Sequence, residues 1–97
     1  MIPVFFHPQA RDELRAAVRF YEGQAPGLGS ELAAEVRRTL TRLSALPQSG
    51  SPSEEDVRRA LVRRFPFAIV YRPEAERLLV IAVMHLRRKP GYWQDRT

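Results

Sequence analysis

Apolar positions along the chain change their period twice, and the changes divide it into elements. Residues 2–6 (IPVFF) form a short β-branched and aromatic run that stops at His7-Pro8, which predicts a first strand. Pro8 suits the first turn of a helix, and His7 beside it reads as a helix-start residue. Ala10, Leu14, Ala17, Val18 and Tyr21 then recur at helical spacing, with Arg11, Arg15, Arg19 and Glu22 on the opposite side. This spacing predicts an amphipathic helix over residues 8–24. The run Ala25-Pro26-Gly27-Leu28-Gly29 breaks it, and Leu32, Val36, Leu40 and Leu43 mark a second helix whose polar face carries Glu31, Glu35, Arg38 and Arg42. So short a connection predicts an antiparallel helical hairpin.

After residues 47–56, rich in proline, glycine, serine and acid and read as a surface loop, the period falls to two. Strands are expected over residues 57–64, 67–72 and 77–85, with residues 73–76 supplying the last turn. The final strand is apolar at Leu78, Val80, Ala82 and Met84 and equally at Leu79, Ile81 and Val83. A strand apolar on both faces belongs inside a sheet covered on both sides, with the hairpin as the main cover. The expected architecture is α+β, in the order β-α-α-β-β-β, with the helical hairpin packed on a small, mainly antiparallel sheet. One domain spanning residues 1–97 is expected from the length.

Composition narrows the class. With 44% hydrophobic and 28% charged residues, the chain has the make-up of a folded protein rather than a disordered tail. Its longest apolar run, residues 78–84, is far shorter than the roughly 20 residues that cross a bilayer, so no membrane partner is expected. The N-terminus lacks the features of a secretory signal and there is no cysteine, which together point to the cytoplasm. Two histidines without cysteine argue against a protein-only metal site, and no cofactor is expected. Charge is unevenly spread: residues 1–56 hold six arginines against eight acids, a net −2, whereas residues 57–97 hold ten cations against three acids, a net +7. The C-terminal part is therefore the part that faces a polyanion or an acidic partner.

Candidate chemistry concentrates where the last strand runs into the tail HLRRKPGYWQDR, residues 85–96. His85 suits proton transfer, Arg87, Arg88 and Arg96 suit phosphate, and Tyr92 and Trp93 suit stacking. A tyrosine among arginines is expected to have its phenolate favoured. Arg59, Arg63 and Arg64 on the preceding strand region are further binding candidates. Structural roles compete with each of these: a hydrogen-bonded histidine at a strand end, a tryptophan clamping the tail to the sheet, a solvated strand face.

Leu14 and Tyr21 in the first helix, Pro47 and Gly50 in the loop, FPFAIVY at 65–71 and VIAVMHLRR at 80–88 together resemble the RelE/ParE superfamily of bacterial toxins. The resemblance implies the toxin of a type II toxin-antitoxin pair, neutralised by a cognate antitoxin whose partly disordered segment folds onto it. It implies either a homodimer or a toxin-antitoxin hetero-oligomer. Two targets come with the superfamily. RelE-like members cleave messenger RNA on the ribosome, which would make His85, Arg88 and Tyr92 catalytic. ParE-like members poison DNA gyrase, which needs a binding surface only. RelE-like ribonucleases place lysines and an arginine where this chain has Arg59, Leu61 and Ala68, so only Arg59 keeps a charge. The ParE-like reading, gyrase poisoning, is therefore preferred. Its alternatives are an mRNA endoribonuclease and an inactive member that retains antitoxin binding.

Overall fold

The computed structural model describes residues 1–96; Thr97, the last residue of the expected domain, lies outside the described residues. Strand β1 (Val4–Phe6) leads into helix α1 (Pro8–Gln24), helix α2 (Leu28–Ala45) and the strands β2 (Ser51–Pro52), β3 (Arg58–Leu61), β4 (Phe67–Pro73) and β5 (Leu78–His85). A 3₁₀ turn at Gln94–Arg96 follows. The sheet order is β1-β5-β4-β3-β2, antiparallel throughout except for β1, which pairs parallel with β5.

Local chemistry explains both helix starts. His7 precedes Pro8, and its Nδ1 accepts the backbone N–H of Gln9 at 3.1 Å, satisfying one of the free donors of the first turn of α1. At α2 the carboxylate of Glu22 accepts the N–H groups of Gly27 (2.9 Å) and Gly29 (3.0 Å), placing negative charge at the positive end of that helix. Gly27 has φ +86, a left-handed turn that a residue with a Cβ adopts only at a cost.

Two apolar layers enclose the sheet. Under the helices lie Leu32, Val36, Leu43, Ile69, Tyr71, Leu78, Val80 and Val83; on the other face lie Val57, Ala68, Val70, Ile81, Ala82, Met84 and Trp93. Simple alternation assigns Ala82 to the layer of Leu78 and Val80, and the structure moves it. An irregularity between Val70 and Tyr71 shifts the pairing from Val70↔Ala82 to Tyr71↔Val80, so Ile81 and Ala82 both belong to the second layer. β5 is interior, as its two apolar faces require, and its helix-free face is covered by the returning tail through Trp93.

The stretch read as a loop carries an extra short strand. Tyr71, fully buried, donates its hydroxyl hydrogen to the Pro47 carbonyl at 2.8 Å and accepts the Gly50 N–H at 2.9 Å. That anchor delivers Ser51 and Pro52 to the edge of β3, where a proline is tolerated because its missing N–H faces no neighbour. β3 is shorter than its sequence pattern. It stops at Leu61, and Arg64 adopts φ +73 in the turn toward β4.

Candidate functional site

β1 pairs only with residues 78–80 of β5, so beyond Val80 the outer edge of β5 has no strand beside it. Two side chains take the strand's place. Glu13 of α1 accepts the Val83 N–H at 3.0 Å, and Arg96 of the tail donates to the Ile81 carbonyl at 3.2 Å. The two also pair with each other, Arg96 Nη1 to Glu13 Oε1 at 2.8 Å and Nη2 to Oε2 at 2.9 Å. Tyr92 adds its hydroxyl to Glu13 Oε2 at 2.7 Å, and the Arg88 guanidinium lies over the Tyr92 ring, 3.8 Å from its centre. A single carboxylate thus collects the tail onto the sheet edge.

Sequence reasoning missed Glu13. The signal was present: it stands three residues after Ala10 and four before Ala17, both buried, on the stripe that faces the core rather than with the arginines. An acid at that position requires a buried partner, and the only cations near the end of the chain are in the tail.

This hub changes the chemistry expected of the tail. The phenol of Tyr92 is not activated: burial, and then its hydrogen bond to Glu13, raise its pKa well above the usual tyrosine value, outweighing Arg96 and Arg88. The expected phenolate is disfavoured. Arg96, expected as a binding residue, has a side chain only 8% exposed and is committed to Glu13. Trp93, a candidate for stacking and binding, is 5% exposed within the second core layer and takes the competing structural role of clamping the tail to the sheet. Arg64 pairs with Glu31 at 2.6 Å and lies 3.7 Å from the buried Glu35, which gives the acidic face of α2 a tertiary role that its pattern does not reveal. Arg63 and Arg87 are exposed.

His85 and Arg59 are not brought together. His85 pairs in register with Phe67, on the helix side, and its ring meets the Phe67 ring edge-on at 5.2 Å. Its Nδ1 accepts the Arg87 N–H at 3.1 Å, which leaves the proton of the neutral imidazole on Nε2. Arg59 is in register with Val70, whose side chain belongs to the opposite layer. Among the described residues Arg88 alone borders both sides, touching the helix-side groove with His85 and the opposite hollow with Arg59 and Trp93.

The helix-side groove measures about 410 Å³ and is lined by Glu13, Ala16, Phe20, Tyr21, Phe67 and His85, among others. Phe20 is 60% exposed at its rim. Exposed aromatic surface beside a ready-made groove is characteristic of a protein-binding site. No helix among the described residues is long and apolar enough to cross a membrane, and those residues contain no cluster of histidine and acidic side chains able to hold a metal.

Comparisons with known proteins bear on the fold and the family. The chain superimposes on a solved structure described as the chromosomal ParDE TA system from P. aeruginosa, with a TM-score of 0.77 over 90% of this chain and 98% of that one, at 20% sequence identity. A search of curated protein sequences finds no match. The family model of the ParE toxin of the type II toxin-antitoxin system parDE matches residues 4–90, from the first strand into the basic tail. With nearly its whole length matched, the chain belongs to the ParE toxin family, within the RelE/ParE superfamily.

Proposed function

We propose that this protein arrests growth by poisoning DNA gyrase, and that a cognate antitoxin neutralises it by laying an apolar segment into the groove beside Phe20. One observation carries the choice of target. Of the groups that RNA cleavage would use, Arg88 borders the same groove as His85, but Tyr92 is committed to Glu13, Arg96 is locked in the same hub, and Arg59 stands on the sheet face opposite His85. Strand cleavage through a 2′-hydroxyl needs a proton acceptor and cations converging on one phosphate. Where an additional cation would complete such a set, β4 carries the buried Ala68. A poison needs only a surface complementary to its target, and the exposed Arg63, Arg87 and Arg88 supply one.

The antitoxin reading follows from family membership together with the groove. Arg88 and His85 line that groove and Arg15 and Arg19 are exposed on the same helix, so an amphipathic segment with acidic flanks is its natural occupant. The test pairs two assays on the purified protein: gyrase supercoiling and cleavage, and translation on programmed ribosomes. Accumulation of cleaved DNA in the first with unimpaired translation in the second is expected. Translation arrest without any effect on gyrase would reverse the assignment.

A further inference from the structure

The two edges of the sheet are finished differently. At one, Pro52 of β2 has no N–H to offer a further strand. At the other, β1 has no such guard. Pro3 accepts the Leu78 N–H and His7 donates to the Val80 carbonyl, so residues 3, 5 and 7 face β5. Val4 and Phe6 therefore turn their N–H and C=O groups outward, to the side where the sheet has no other strand. Ile2, the preceding outward residue, is already engaged: its N–H donates to the Ser44 carbonyl of α2 and its carbonyl accepts the Ser44 hydroxyl. Pro8 closes the other end of the run. What stays open is one short segment centred on Phe5.

The surroundings of that segment are apolar and nearly uncharged. Of the large apolar side chains exposed among the described residues, Met1, Phe5 and Leu46 gather here, Leu46 lying two residues beyond Ser44. Residues 1–10 include no acid, lysine or arginine, in a chain of net charge +5. Arg77, whose guanidinium lies 5.5 Å from the centre of the Phe5 ring, is paired with Glu74 at 2.6 Å. A cationic protein repels its own copy, and at this edge that repulsion is weak. An acidic partner, by contrast, finds little here to select it.

We propose that β1 pairs antiparallel with β1 of a second copy, across a two-fold axis at Phe5. In that register Val4 exchanges N–H and C=O with the partner's Phe6, and Phe6 with the partner's Val4. The two Phe5 rings meet as a non-hydrogen-bonded cross-strand pair, the arrangement in which side chains come closest. Such a contact is self-complementary and closes at two copies. Its small size makes the dimer a reversible one.

Amide hydrogen exchange and analytical ultracentrifugation of the purified chain, from about 5 to 500 μM, provide the test. The Val4 and Phe6 amides should gain protection as concentration rises, while Phe5, bonded to β5 in either state, should not change. F5K and F5E each set like charges opposite one another and should raise the dissociation constant by about tenfold or more; an equal mixture of the two should associate again, because opposite charges then meet. Phe5 is half-exposed, so both variants should keep the wild-type amide spectrum at low concentration, and the wild-type exchange pattern decides the matter even if they do not. L61K adds a charge to an exposed position on β3 and should change association by less than about twofold. A monomer at every concentration would overturn the proposal, as would equal weakening by L61K or a mixture no better than either variant alone. Protection of Val4 and Phe6 that appears only on adding the cognate antitoxin would also overturn it, by giving the edge to that protein.

Discussion

Glu13 and Arg96, 83 residues apart, meet in a two-pronged ion pair that also closes the open edge of β5. Both side chains are largely shielded from water, at 17% and 8% exposure; removing Glu13 takes away the ion-pair partner of Arg96, whereas removing Arg96 still leaves Glu13 the Tyr92 hydroxyl, the Val83 N–H and Arg88 at 3.9 Å. Glu13→Ala should therefore cost about 3 kcal/mol, in the range for breaking a shielded pair and well above that of a surface one. Arg96→Ala should cost less, because Glu13 keeps its other partners, and the double variant less than the two together. Urea unfolding followed by the fluorescence of Trp93, the chain's single tryptophan, measures all three. Additive losses would mean that the two residues act independently.

Tyr92 sets an alkaline limit to stability. Its folded-state pKa is raised, first by burial and then by Glu13, so the unfolded chain loses the phenolic proton first as pH rises past about 10. The contribution is fully present below that pH and is lost progressively above it, toward the folded pKa. Tyr71 is also raised, by burial, and behaves in the same sense. Tyr92→Phe should lower stability at pH 8 by about 1–3 kcal/mol through the lost hydrogen bond, and should flatten the decline above pH 10 relative to wild type. Denaturation midpoints between pH 8 and 11 decide it. The same variant should keep its ability to arrest growth, since a gyrase poison needs no phenolate; abolished toxicity in a well-folded Y92F would speak for catalysis.

The elements were legible because each is written locally. Helical spacing located α1 and α2, and two-sided apolarity placed β5 inside the sheet. The site was legible only as a segment. What holds the tail is a contact between Glu13 and residues near the other end of the chain, and no local period encodes it. The same limit explains β2, whose Ser51-Pro52 has no strand pattern and is set against β3 by the distant hydroxyl of Tyr71. Placement of His85 and Arg59 on opposite layers depends on the strand register and its bulge, which alternation alone does not supply.

Gly50 should be intolerant of any side chain. A Cβ there would collide with the Tyr71 hydroxyl and approach the Arg59 carbonyl to 3.0 Å, so either the tyrosine or the β3 ladder must give way. Gly50→Ala should cost about 1–3 kcal/mol by overpacking. Tyr71→Phe keeps the packing but leaves the Pro47 carbonyl and Gly50 N–H without their partner, for a loss of about 2 kcal/mol. Hydrogen exchange offers a local readout: the Gly50 amide should lose protection in Y71F while amides in the middle of β5 keep theirs. Unchanged protection at Gly50 would remove Tyr71 as the anchor of this segment.

Phe20 separates binding from folding. At 60% exposure it contributes little to the core, although its ring meets Tyr21 edge-on at 5.2 Å and forms one rim of the helix-side groove. Phe20→Ser should therefore shift the melting temperature only slightly, since surface changes are usually within about 0.5 kcal/mol. If the groove receives the antitoxin, the loss of an exposed aromatic anchor should weaken that complex by about 2 kcal/mol, close to 30-fold. Calorimetric titration of the cognate antitoxin into wild type and F20S gives the affinity directly, and co-expression gives the cellular counterpart. F20S should escape neutralisation at antitoxin levels that silence the wild type. Wild-type affinity in F20S would place the antitoxin elsewhere on the molecule, and a large loss of thermal stability would assign Phe20 to the hairpin instead.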